Sequence, residues 1–172
     1  MPFYLKESDV LPQVAGLRSV LIVPCRFCPA ASLAVREKKP YIELFRRLLR
    51  TAAYESFIHA LRRRLEHAGT ETAVFDAKLL HHFLPCMWTL GRRRELAKRA
   101  AKFEGVVVLG CDAAVDVVRG AIESTGCRVI QGMEIEGIMS VVPTVRFPLN
   151  ISLTVQGITP VDMGEPSPST RP

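Results

Sequence analysis

The run Gly105-Val-Val-Val-Leu-Gly-Cys-Asp constrains this chain more than any other stretch. An uninterrupted apolar tetrad between glycines reads as a strand buried on both faces, the kind that parallel sheets use. A glycine turn and a helix over 112–124 follow it. Val20 to Val23 repeats the signature nearer the amino terminus, and Thr72–Phe75 and Arg128–Gln131 read as two further short strands. Helical periodicity fills the intervals. A helix starting at Pro29 runs to near Lys39-Pro40. From Tyr41 to His67, Phe45, Leu48, Leu49, Ala52, Ile58, Leu61 and Leu65 recur at spacings of three and four, and a basic helix covers 92–103. Strands alternating with helices predict a Rossmann-like α/β fold, a mostly parallel sheet flanked by helices with right-handed crossovers. Val145, Phe147, Leu149, Ile151, Leu153 and Val155 alternate with polar residues and Pro148, which adds a C-terminal edge strand or hairpin with one buried face. A single domain over 1–159 and a disordered tail over 160–172 complete the expected organisation.

A chain of 172 residues can bury a core without disulfides or metals. No stretch of about 18 uninterrupted apolar residues is present to span a bilayer. The N-terminus, with Lys6, Glu7 and Asp9 among its first residues, lacks the pattern of a secretory signal, so a cytoplasmic protein is expected. The net charge of +6 is uneven: residues 36–102 hold 16 Lys and Arg against 7 Asp and Glu. The basic character therefore belongs to the helical middle, and it suits an acidic protein partner at Arg46, Arg47, Arg62, Arg63, Arg92 and Arg93.

Five cysteines without an export signal argue against a disulfide framework. Their positions are more informative than their number. Cys25 and Cys28 directly follow the first apolar strand, Cys111 follows the Gly105 strand, and Cys86 sits in the loop entering the second basic helix. Ligand crevices in open α/β sheets lie outside the carboxyl ends of the strands, so four thiols are expected at one functional edge. Cys127, at the start of a strand, belongs at the opposite edge and in a packing role. Cys28 and Cys111 each stand at a helix N-terminus, where backbone N–H groups favour thiolate. One C-x-x-C pair and two single cysteines fit an iron–sulfur cluster at least as well as zinc, whose structural sites usually bring two close pairs. His81 and His82 could offer a nitrogen ligand, although a solvated pair on a polar loop explains them more simply.

The pieces C-R-F-C at 25–28, C-M-W-T-L-G-R at 86–92 and V-L-G-C at 108–111 together resemble the iron–sulfur delta subunit of methyl-viologen-reducing hydrogenases. The resemblance covers residues 20–112. It implies a [2Fe–2S] cluster on Cys25, Cys28, Cys86 and Cys111, passing electrons within a larger redox complex. The family's shorter spacing between its middle cysteine and G-R is stretched here. Its further cysteine after G-C is replaced by D-A-A-V-D-V-V.

Other functions compete. A thioredoxin-like thiol–disulfide oxidoreductase would use Cys25 and Cys28, with Pro143 in V-V-P-T-V-R-F as the proline facing them; a loop proline before an edge strand is the plainer reading. The Arg-rich helices could bind RNA, with Trp88 as a stacking platform, yet no RNA-binding motif is present. No nucleotide fingerprint occurs either, since L-G-C-D lacks G-x-G-x-x-G and no phosphate-loop pattern exists. Gly132, Glu134, Glu136 and Gly137 are candidates for a ligand loop after the fourth strand.

Overall fold

A computed structural model describes residues 2–43, 51–76, 83–147 and 150–161 of the chain. Its centre is the parallel sheet that the apolar runs predict. Four strands, β2 (Ser19–Pro24), β4 (Glu71–Val74), β5 (Gly105–Leu109) and β6 (Arg128–Gln131), pair in the order β4-β2-β5-β6, every pair parallel. Val20 to Val23 and Val106 to Leu109 are all fully buried, so the two middle strands are covered on both faces, as their lack of polar alternation requires. The fold is therefore α/β with a helix-flanked parallel sheet, as expected.

The helices divide between the faces. α2 (Cys28–Arg36) packs against α3 (Ala52–His67), and α4 (Leu90–Ala100) against α5 (Asp112–Ile122). Thr72 Oγ1 reaches Glu66 and Arg62 on α3, whereas Phe75, three residues on and so on the other face, lies under Arg92 of α4. The chain leaves β2 in one direction to form β4, then crosses back over β2 to form β5. The strand order thus reverses between β2 and β5, and that reversal opens the crevice used for ligands in such folds.

A second, antiparallel sheet was only half legible. Strands β1 (Phe3–Glu7), β3 (Ile42–Glu43), β7 (Met133–Arg146) and β8 (Asn150–Pro160) pair in the order β1-β7-β8-β3. The C-terminal hairpin matches its alternating pattern, with Val141, Pro143 and Val145 opposite Val155, Leu153 and Ile151. The expectation of a buried face fails toward the tip, where Val145 is 64% and Phe147 97% exposed. β1 and a four-residue helix α1 (Leu11–Val14) were not foreseen. α2 lies between the antiparallel sheet and α3, touching β1, β8 and α3. Its alanines explain the fit: Ala30, Ala31 and Ala34 are all but fully buried and let these neighbours approach closely.

Three expected boundaries move. The helix expected over Tyr41–His67 does not include Ile42–Glu43, which pair with β8, and its described part begins at Ala52 after the extended Thr51. The expected loop at Gly132–Gly137 is instead the start of β7, paired to β1. The helix after β2 begins at Cys28, one residue before Pro29. His81, His82, Arg46, Arg47, Pro148 and the tail beyond 161 lie outside the described residues.

Candidate functional site

The two strands that flank the reversal deliver two of the cysteines. Cys25 follows β2 and donates its backbone N–H to Leu109 O at 2.8 Å, which locks the end of β2 to the end of β5. Gly110 then lets the chains come together. A Cβ there would lie 2.7 Å from Ala114 Cβ and 3.2 Å from Cys25 Cβ, so any side chain would force apart the segments that carry Cys25 and Cys111. Cys111 is the N-cap of α5, with its carbonyl accepting from Ala114 and Val115. Cys28, on the first turn of α2, has its helix tied to β1 through Ser32, whose hydroxyl accepts from Leu5 N–H and lies 2.9 Å from Cys28 O. Cys86 sits on a 3-10 turn, Pro85–Met87, that packs against α5. Arg26 N–H bonds Phe83 O at 2.9 Å, holding the approach to this turn against the Cys25–Cys28 loop.

Four cysteines thus lie along the carboxyl edge, near enough for their charges to act on one another. The thiolates of Cys28, Cys111 and Cys86 each raise Cys25, Cys111 and Cys86 raise Cys28, and Cys111 raises Cys86. Burial is the larger cause at all three, pushing each thiol up; a backbone N–H partly offsets it, that of Phe27 for Cys25 and of Phe3 for Cys28. Cys25 and Cys111 are buried, Cys28 is half-buried and Cys86 is exposed. The helix N-terminus was expected to favour thiolate at Cys28. There, desolvation outweighs the dipole, and the neutral thiol is favoured. The four thiols are neighbours without forming a closed ligand sphere: among the described residues no three His, Cys, Asp or Glu side chains are grouped closely enough to hold a metal ion. The donor set is all sulfur, the chemistry that selects zinc or iron–sulfur centres over hard cations.

Sequence reasoning missed the tyrosines around these thiols. Tyr54, fully buried on α3, donates its hydroxyl to Leu109 O at 3.2 Å, the carbonyl that also receives Cys25 N–H. Tyr41 is held by its N–H to Ile151 O and by Thr51 Oγ1 on its carbonyl. Burial raises both phenols, with Cys25 close enough to add to the effect at each. Beside Cys25, Arg26 is buried against Glu55 and reaches Asp76 at 3.3 Å. No periodicity marks these residues, since each is positioned by tertiary packing alone. Three exposed apolar side chains, Phe27, Met87 and Leu90, adjoin Cys28 and Cys86 in the chain.

The remaining candidates separate from the site. Cys127 precedes β6 at the opposite edge, half-buried, and donates its S–H toward Ala100 O and Phe103 O. Glu134 pairs with Lys6 and Ser8 and Glu136 with Arg36, so these carboxylates are surface partners of β1 and α2. Pro143 lies in the hairpin, opposite Leu153, in the other sheet from Cys25. Trp88 is buried edge-to-face on Phe75 and offers no stacking platform. Arg92, expected on a docking face, is also buried, 3.8 Å from the centroid of the Phe75 ring and bonded to the Asp76 carbonyl and Glu95. Its guanidinium reads as a polar residue in the sequence but acts as a core cation over aromatic faces. Comparisons of the chain with protein-family models, curated proteins and solved structures find no match. No helix among the described residues is long and apolar enough to cross a membrane.

Proposed function

We propose that the chain is an electron-transfer component whose thiols at Cys25, Cys28, Cys86 and Cys111 hold an iron–sulfur centre, [2Fe–2S] in preference to zinc. One observation supports the reading: these four cysteines, spread over 87 positions of sequence, lie at the carboxyl edge of the parallel sheet near enough for their charges to interact, while Cys127 lies at the opposite edge. Buried thiols that raise one another are costly to ionise together, and a bound cationic centre removes that cost. Such a cluster supplies one-electron transfer at a potential set by its surroundings. The chain's own contribution is a dry floor under the thiols from β2 and β5, backbone N–H groups of Phe3 and Phe27 facing sulfur, and two neighbouring phenols. Phe27, Met87 and Leu90 give a redox partner an apolar contact beside the exposed Cys86, and the arginines of α3 add long-range attraction for an acidic one.

A Cys25–Cys28 dithiol enzyme is the second reading. It needs an exposed, acidic nucleophile, whereas Cys25 is 3% exposed and its thiol is pushed up, which favours the metal reading. The test is iron and sulfide analysis after anaerobic reconstitution of wild type and single serine variants. Cys25→Ser, Cys28→Ser, Cys86→Ser and Cys111→Ser should each lose most of the iron, and Cys127→Ser should keep it. Equal iron in all five variants would refute the ligand assignment.

A further inference from the structure

A cleft of about 350 Å³ lies beside β4; Arg26, next to Cys25 in the chain, is among its lining residues, but none of the four thiols is. Its walls come from both faces of the sheet: Glu55, Ile58, His59 and Arg62 of α3 on one side, Arg99 of α4 on the other, with Thr72, Ala73 and Val74 between them. Because β4 is the last strand of the parallel sheet among the described residues, a cleft bounded this way runs along an open sheet edge. The ladder shows what that edge offers. Glu71 N–H bonds Arg18 O and Phe75 N–H bonds Ile22 O, so the odd-numbered residues of β4 point their backbone groups at β2. By the two-residue repeat of a strand, Thr72 and Val74 turn their N–H and C=O groups outward into the cleft. Thr72 is covered by the side chains of Arg62 and Glu66, while Val74 is only half-buried.

Charge selects the occupant. Of the acids lining the cleft, Glu55 and Asp76 are engaged by Arg26, and Arg62 is engaged by Glu66 just outside it. Exposed His59 and Arg99 remain, one on each side of the strand plane, with Arg63, Arg64, Arg94 and Lys98 on the same two helices. We propose that the β4 edge captures an extended acidic segment of a partner protein as an added strand. Backbone groups would pair at Val74, and successive side chains of the segment, which point to opposite faces, would meet His59 and Arg62 on one side and Arg99 on the other. Adjacent acids are therefore the expected recognition feature.

A fluorescent peptide, acetyl-Ser-Val-Glu-Asp-Val-Ser-amide, is the probe, with its two acids replaced by lysine as one control and a ten-nucleotide oligothymidylate as another. The acidic peptide should bind in a salt-sensitive way, and the lysine peptide should not. Val74→Pro removes the outward N–H without touching the bonds to β2, and should weaken binding about tenfold, the loss of one hydrogen bond. Arg99→Glu should weaken it several-fold, with both variants keeping the wild-type circular dichroism spectrum. In the free protein the Val74 amide should exchange rapidly with solvent, slowing when the peptide binds. Unchanged affinity in Val74→Pro, no binding to wild type, or a Val74 amide already protected in the free protein would each overturn the proposal. Oligothymidylate binding that survives Val74→Pro and displaces the peptide would assign the cleft to a phosphate backbone instead.

Discussion

Arg26 and Glu55 show how much a single residue can demand of its surroundings. Both are buried next to the thiol site, and each neutralises the other. Glu55→Ala would remove the buried carboxylate that faces the guanidinium, leaving Asp76 beside it at 3.3 Å, and should cost up to about 3–5 kcal/mol; the double variant Glu55→Ala, Arg26→Met should recover much of that, as urea unfolding would measure. The thiols make a second case. Burial raises Cys25, Cys28 and Cys86, so the folded chain holds these protons more tightly than the unfolded one. Their contribution to stability is complete below the unfolded thiol value of about 8.5 and is lost as pH rises above it. The midpoint of thermal unfolding of metal-free protein should fall between about pH 8 and pH 10, and Cys25→Ala should flatten that fall. Alkylation should modify exposed Cys86 first and buried Cys25 last. The positions of these cysteines after their strands were readable in the sequence, but their protonation was not. That depends on burial in the folded chain and on backbone groups as distant in sequence as that of Phe3.

At the scale of elements, two apolar strands and one glycine set the geometry. Gly110→Ala must push against Ala114 and Cys25, and should destabilise the fold by about 1–3 kcal/mol as overpacking does. It should also lower metal content, because the displaced atoms carry Cys25 and the start of α5. Phe147→Ser, at 97% exposure on the hairpin, should leave stability unchanged, which separates a local effect at Gly110 from general fragility. Strands β2 and β5 were legible because an apolar run with no polar alternation has few other homes in a water-soluble fold. Strand β1 was not, because F-Y-L-K-E carries no clean two-residue alternation, and its pairing with β7 is decided by residues 126 or more positions away. Gly132–Gly137 reads as a loop because glycines and glutamates are common in loops. Strand pairing overrode that local preference.

For the whole molecule, the sequence was sufficient for the parallel sheet, and the antiparallel one emerged from contacts between chain ends. The strand order mattered most, since β4-β2-β5-β6 puts the reversal between the two cysteine-bearing strands, and no local pattern encodes that adjacency. The basic helices α3 and α4 flank the β4 edge, which gives the proposed acidic strand a surface distinct from the exposed apolar side chains near Cys86. The most direct test of the central reading is the absorption spectrum of anaerobically reconstituted wild-type protein after desalting, taken with its iron and sulfide content. The account predicts a brown protein absorbing between about 400 and 500 nm, with about two iron and two sulfide per chain, as a [2Fe–2S] centre on thiolates requires. A colourless protein that releases its iron on desalting would contradict it.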